Sequence, residues 1–279
     1  MMPFYGDVAQ FRQAVTSVLD QDDPDLRLVV VDDCYPDPTP RQWLESLDDA
    51  RVQYVRNETN LGVNGNFRRC VELVIADWFV VMGCDDVMHR TYLAAVRTMA
   101  RHHPDAAVIA PGVDVIDENG QPVTPLGDRI KSVLAPPRAT VLAGEQLATS
   151  LYHGNWTYFP SLLWRTAAVR EVGFRPGLEI VLDLALLVDV ASAGGSLVYD
   201  PEVVFSYRRH RASVSSVQAV DGRRFAEENR FFADEAQRCE AHGWPKAARA
   251  ARWHATSRLN HLSARVGAGF GRLRISSGS

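Results

Sequence analysis

Leu28-Val29-Val30-Val31-Asp32-Asp33 decides the fold: four consecutive apolar residues, three of them β-branched, closed by two acids. An apolar run this short and unbroken reads as a strand buried on both faces, the kind a sheet covered by helices contains. On its N-terminal side, Phe11, Val15, Val18 and Leu19 recur at helical spacing over residues 8–20. On its C-terminal side lie a second strand over 52–55 and a helix over about 64–76 with Phe67, Val71 and Val74 on its apolar face. A third apolar run, 78–82, again ends at paired acids, Asp85 and Asp86. Helices alternating with buried strands make an α/β layer fold. Ligands of open α/β sheets bind beyond the carboxyl ends of the strands, so both acidic strand ends point at one crevice.

Further along, the pattern gives a helix over about 90–102 and a strand over 107–110. Residues 111–143 read as irregular, broken by Gly112, Gly120, Pro122, Pro125, Gly127, Pro136 and Pro137. Helices near 144–152, 166–172 and 181–193 and a strand over 197–207 follow. The organisation is one unit over 1–216 and a helical C-terminal extension over 217–279 whose last dozen residues look frayed.

The 279 residues, 46% hydrophobic and 23% charged, suffice for one substantial core. The four scattered cysteines form no CxxC pair and no zinc spacing, which fits a reducing cytosol. Asp77, Asp183 and Asp189 interrupt the apolar runs that come nearest to a membrane span, and the chain opens without a secretory signal pattern. The expected location is cytoplasmic, with peripheral attachment at the inner face of the membrane as an extension of that reading. A net charge of −4 gives no support to nucleic-acid binding. The acids outnumber the bases before residue 221, and the bases outnumber the acids after it. The basic extension suits a membrane-surface or partner contact, or equally a solvated helical pair with ordinary salt bridges. Oligomeric state is not legible.

Carboxylates at the end of the 28–31 strand, Asp32 and Asp33, can accept hydrogen bonds from a base N–H or a ribose hydroxyl. Gly83-Cys84-Asp85-Asp86 offers carboxylates which, with diphosphate oxygens, would complete the all-oxygen shell preferred by Mg²⁺ or Mn²⁺. Paired acids at a buried strand end repel unless a cation or donor offsets them. Between them, the polar loop from Arg56 to Asn66 carries Asn60, Gly62 and Asn66, whose amides and backbone could line a nucleotide pocket. A plain turn with a helix cap would look similar. Trp156, in an aromatic-rich stretch between the acid pair and residue 180, could stack on an acceptor sugar or simply pack in the core.

The run from Ala14-Val15 and Ser17-Val18-Leu19 through Val30-Val31-Asp32-Asp33, Val55-Arg56-Asn57, Asn60-Leu61-Gly62 and Asp85-Asp86 resembles the family 2 glycosyltransferases of GT-A fold, in order and spacing, over about residues 3–216. The resemblance implies a Rossmann-like mixed sheet flanked by helices, a nucleotide-diphosphate sugar donor, and inverting, metal-assisted transfer to a carbohydrate, lipid-linked or protein-linked hydroxyl in cell-envelope glycan synthesis. It assigns Asp32 and Asp33 to the donor's base and ribose, Asp85 to the donor, and Asp86 to the metal as the last acid of the family's DxD motif. Gly83 replaces the motif's first acid. Pro3-Phe4-Tyr5 resembles the turn that follows the family's first strand, which puts Pro3 and Tyr5 at the donor. That first strand is then nearly absent, and a start site upstream of Met1 or a trimmed chain is the expectation.

An inverting transfer needs one carboxylate to take the acceptor's proton. The segment from Gly173-Phe174 to Leu186 resembles the family's stretch in which an acid opens an apolar helix, which makes Asp183 the expected base. Glu179 is the reserve and lies on the acceptor side. Tyr207-Arg208-Arg209-His210 resembles the family's Tyr-Arg-x-His segment, implying Arg209 on phosphate and His210 on the metal. Two other functions compete. One is a non-catalytic nucleotide-sugar-binding or scaffold protein; the other is a sugar-phosphate nucleotidyltransferase, against which the lack of a glycine-rich basic loop in residues 1–20 argues.

Overall fold

The expected buried strand forms as β2 (Leu28–Asp32), and every residue of it is less than 5% exposed. The computed structural model describes residues 1–209 and 223–253. Parallel neighbours flank β2: β3 (Val52–Arg56) on one side and β1 (Met2–Phe4) on the other, with Met2 opposite Val30 and Phe4 opposite Asp32. The sequence leaves that first strand nearly absent, yet three residues fill the slot, with Met2 and Phe4 fully buried. Met1 extends the strand by bridging to the next part of the sheet. Its nitrogen donates to the Val80 carbonyl at 2.8 Å, and its carbonyl accepts from the Met82 N–H at 2.9 Å.

The second part of the sheet is mixed. Its order is β4 (Trp78–Val80), β8 (Leu163–Arg165), β6 (Val108–Ile116), β9 (Ser196–Arg208) and β5 (Val87–Met88), and β7 (Thr140–Ala143) also pairs with β9. β6 and β9 run parallel, while β4–β8, β6–β8, β5–β9 and β7–β9 are antiparallel. Helices α1 (Val8–Leu19), α2 (Thr39–Ser46), α3 (Gly62–Glu72) and α4 (Tyr92–His102) belong to the N-terminal half. α1 buries Phe11, Ala14, Val15 and Val18, and Asp7 caps it by accepting from the Gln10 N–H.

Residues 111–143 differ from the expectation. They are not irregular: β6 runs on to Ile116, α5 (Leu126–Leu134) follows, and β7 closes the segment. Pro111 and Gly112 conceal the strand because they fall where its register against β9 shifts. A Cβ on Gly112 would lie 2.3 Å from the Pro201 carbonyl oxygen, so the bulge requires a residue without a side chain. Both α2 and β8 form where the periodicity gives no element.

The C-terminal half places α6 (Gly144–His153), α7 (Thr166–Val172) and α8 (Leu182–Ser192) against the sheet. The extension contributes α9 (Arg223–Ala241) and α10 (Pro245–Trp253). These two helices share the main body's core: Phe231, Phe232, Ala236 and Cys239 of α9 and Ala247, Ala248, Ala250 and Ala251 of α10 are buried with Leu147, Leu151, Leu187 and Trp164. A buried ionic cluster fastens the joint. Arg175 donates to both Asp189 oxygens at 2.6 and 2.7 Å and to Glu235 Oε1 at 2.6 Å, Arg238 joins the same two acids, and the Tyr152 hydroxyl donates to Glu235 Oε2 at 2.6 Å. Among the described residues, no helix is long and apolar enough to cross a membrane.

Glu235 is 2% exposed and satisfies three donors. Removing one partner of a buried ion pair destabilises by roughly 3–5 kcal/mol. Glu235→Ala should sit near the lower end, about 3 kcal/mol, because the Arg238 side chain is 42% exposed and water can take over part of its solvation. Urea unfolding followed by circular dichroism measures this; a loss of about 0.5 kcal/mol, typical of a surface pair, would show that the cluster does not secure the extension.

Candidate active site

The first pair of acids stands where β2 runs out. Asp32 and Asp33 are each 2% exposed. Asp32 Oδ1 accepts from the Tyr35 N–H at 2.6 Å, and Oδ2 takes the Tyr54 hydroxyl and the Arg56 guanidinium. Asp33 Oδ1 accepts from Asn57 Nδ2 and from the Leu61 N–H, both at 2.8 Å. A relay continues inward: Asn57 Nδ2 donates to Asn66 Oδ1 at 3.0 Å, and Asn66 Nδ2 to the Val31 carbonyl at 2.9 Å. Asn66 thus spends both ends of its amide inside the protein, and at 3% exposure it stiffens the pocket wall instead of lining it. Asn60 accepts from the Gly62 N–H at 2.9 Å in a surface turn that opens α3. Pro3 lies within β1, opposite Val31, not in a turn. Tyr5, 55% exposed, meets Tyr35 edge to face at 5.5 Å between ring centroids, leaving aromatic surface open to a flat ligand.

The acid pair follows β4. Asp86 is 1% exposed; its Oδ1 accepts from the Arg208 N–H at 2.8 Å, while its Oδ2 is buried without a hydrogen-bond partner. A buried carboxylate oxygen left this way is costly unless something cationic or hydrogen-donating meets it. Arg208, itself buried, fixes the loop: Nε donates to the Asp85 carbonyl at 2.6 Å, and the guanidinium also reaches Gln13 and the Asp117 carbonyl. A Cβ on Gly83 would lie 2.5 Å from Asp86 Oδ2 and 2.7 Å from Asp85 Oδ1. Both carboxylates therefore close on the same point, and the glycine that departs from the family's DxD pattern is the residue that lets them. Cys84 beside them is held protonated: desolvation, then the Asp85 charge, push its thiol up to about 12.

This donor set suits a hard divalent cation, two carboxylates leaving most positions to ligand or water oxygens. Among the described residues, no cluster of three His, Cys, Asp or Glu side chains gathers to complete a protein-only cage. His210, expected as a metal ligand, lies outside the described residues.

Asp183 stands in the first turn of α8, half-buried. Its Oδ1 accepts from the Leu184 N–H at 2.7 Å, and its Oδ2 from Asn155 Nδ2 at 2.9 Å. Burial raises its pKa, against the opposing pull of the Leu184 N–H, Lys131 and Asn155. Lys131, from α5, donates to the Thr157 carbonyl at 2.7 Å and sits 4.2 Å from the Tyr158 ring centroid; burial lowers its pKa to about 8. Arg209 is not free to meet a phosphate unaided, because it forks onto Asp128, with Nη2 2.8 Å from Oδ1, and Asp128 also accepts from the Tyr158 hydroxyl.

Hydrogen bonds connect the segments that carry the three acid sites. The loop anchored on Asp33 reaches the segment before Asp183 through Asn64 Nδ2, which donates to the Leu178 carbonyl at 3.1 Å. The acid pair reaches the Asp128–Lys131 group through the adjacent residues Arg208 and Arg209. Trp156 is a correction: it is 3% exposed, donates to Ser150 Oγ at 3.0 Å and packs on Tyr199, so it cannot stack on an acceptor. Glu179 remains at the surface in front of α8. Sequence reasoning gives no role to Lys131 or Asp128, hidden in a segment it reads as irregular, nor a particular one to Asn155 or Asn57; only the side-chain relay reveals them.

Residues 1–164 match glycosyl transferase family 2. A search of curated proteins finds the succinoglycan biosynthesis protein ExoO of Rhizobium meliloti, 26% identical over 220 residues, 78% of this chain and 62% of that protein. Among solved structures, residues 1–349 of S. aureus TarS in complex with UDP-GlcNAc superpose with a TM-score of 0.65 at 16% identity, over 83% of this chain and 64% of that one. The same fragment in complex with UDP gives 0.60 over 82% and 68%. These likenesses establish a GT-A-type fold; the chain spans under two thirds of the length of ExoO and of the TarS fragment bound to UDP-GlcNAc.

Desolvation, then the Asp85 charge, hold the Asp86 carboxyl well above its ordinary pKa. A pKa raised on folding means that this group's contribution to stability is full below the unfolded value, about 3.9, and is lost as pH rises through the folded one. Asp86→Asn keeps an oxygen for the Arg208 N–H and removes the charge. The chelator-treated variant should therefore melt higher than wild type at pH 7.5, with the gap closing toward pH 4. Mn²⁺ should raise the wild-type melting temperature only. Scanning fluorimetry across pH, with and without Mn²⁺, reads both; parallel melting curves at every pH would refute the assignment.

Proposed function

Because the chain belongs to glycosyl transferase family 2, we propose that it transfers a sugar from a nucleotide-diphosphate donor to a hydroxyl acceptor with inversion, Asp183 acting as the base. The observation that carries this reading is the buried, unpartnered Asp86 Oδ2, beside which the Asp85 carboxylate closes on the same point at Gly83. A uridine diphosphate sugar is the donor class to test first, since TarS is solved with UDP-GlcNAc. A carbohydrate hydroxyl, free or lipid- or protein-linked, is the acceptor class in keeping with a succinoglycan-synthesis relative.

In this reading Tyr5 offers its ring to the base, and Asp33, with the Asn60–Gly62 turn, faces the nucleoside. Asp32 acts indirectly: it holds Tyr35 and Arg56 in place. Asp85 and Asp86 would hold Mn²⁺ or Mg²⁺, which when bound neutralises the diphosphate leaving group. Arg208 keeps both acids in register. Arg209 would meet the diphosphate while anchored to Asp128. Asp183 takes the acceptor's proton as the acceptor oxygen bonds to the anomeric carbon, and the carbon–oxygen bond to the diphosphate breaks with its electrons on the departing nucleoside diphosphate. Asn155 stabilises the ionised form of Asp183 and fixes its rotamer.

Release of UDP from UDP-sugars with Mn²⁺ and a glycan acceptor tests the reaction. Asp183→Asn should lower kcat by about 10²–10⁴-fold, the contribution of a positioned base. Because the Asp183 pKa is raised, kcat should fall on the acid side at a pH above the ordinary carboxylate range. Asn155→Ala removes a bond that favours the charged form, so its acid limb should move to higher pH. An acid limb that stays put in Asn155→Ala, or Asp183→Asn at wild-type rate, would exclude Asp183 as the base.

A further inference from the structure

α8 has no side-chain cap of its own: Val181 occupies the capping position and makes no such bond. The N–H groups of Glu179, Ile180 and Val181 instead converge on one oxygen, Oε1 of Glu227, at 2.9, 2.7 and 3.1 Å. Glu227 belongs to α9, in the extension that lies beyond the family-matched residues. Charge favours the arrangement, since a carboxylate in front of a helix N-terminus complements the helix dipole and gains charge-assisted hydrogen bonds.

We propose that Glu227 is a positioning residue for sugar transfer: by clamping the 179–181 turn, it sets where Asp183 stands in the cleft. This rests on the reading of Asp183 as the base. The turn is strapped from both sides. From the donor side, Asn64 holds the Leu178 carbonyl and Arg68 the Arg175 carbonyl, each at 3.1 Å. From the extension side, Glu227 holds the three N–H groups, while Arg175 is pinned to Glu235. Without Glu227, Asp183 remains in α8 but the turn in front of it loses its only carboxylate clamp recorded among the described residues. Glu179 is exposed and Ile180 half-buried, so water can reach the freed groups at the outer end of the turn, and Val181 carries the buried one.

The test compares wild type, Glu227→Ala and Glu227→Gln by nucleoside diphosphate release from UDP-GlcNAc and a panel of UDP-, GDP- and dTDP-sugars with Mn²⁺, by melting temperature, and by amide hydrogen exchange over residues 179–184. Misplacing a reacting group by about 1 Å can lower the rate about 10²-fold. Glu227→Ala should therefore lose roughly 10- to 100-fold in kcat, with donor KM little changed, near-native melting, and faster exchange confined to 179–184. Glu227→Gln, which keeps an oxygen for the N–H groups, should recover most of the rate and the protection. An Ala variant with wild-type kcat, one whose exchange at 179–184 is unchanged, or one that loses rate only in step with melting and exchange across the whole core overturns the proposal alone. A wild type that turns over no donor in the panel overturns the transferase reading, and the proposal with it.

Discussion

A carboxylate cut off from water, with one oxygen unpaired, is the constraint around which the cleft is organised. Asp86 is held there by the Arg208 N–H, and Arg208 in turn grips the Asp85 carbonyl, Gln13 and the Asp117 carbonyl. The protein thus surrounds an anion with just enough donors to fix its place and too few to satisfy it. A proton or a bound cation relieves such a site, which ties the local energetics to pH and to what the site binds.

The sheet delivers the pieces to this point. β1, β2 and β4 end side by side, bringing Tyr5, Asp32, Asp33 and the acid pair together, and β9 carries Arg208 and Arg209 in from the other side. Gly194 turns the chain from α8 straight into β9, so the proposed base and the arginine clamp lie at the two ends of one helix-strand unit. The extension is no appendage either. Its small residues let α10 lie close against the body, and its acids and arginines interlock with Asp189 and Arg175.

Strongly periodic elements were readable from the chain. β2, α1, α3 and β4 announce themselves through apolar runs whose period is set by burial on one or both faces. The second half of β6 hides because its Pro111-Gly112 bulge imitates a loop, and β1 because three residues carry no period. Asp32, Asp33, Asp85, Asp86 and Asp183 stand out as acids at element ends. Asn66 and Trp156 look like ligand contacts but are wall and core, since a sequence names a side chain's chemistry without saying which way it faces. Lys131, Asp128 and Glu227 act across 26 to 81 residues of chain, and no local pattern encodes partners that distant.

The cysteine inside the acid motif has a consequence for how the cleft meets electrophiles. A thiol needs its anion to react with peroxide, disulfides or alkylating agents, and one held protonated to about pH 12 offers almost none at neutral pH. Cys84 is therefore a small, soft spacer between Gly83 and the acids, its thiol biased by burial and by the Asp85 charge toward the less nucleophilic neutral form.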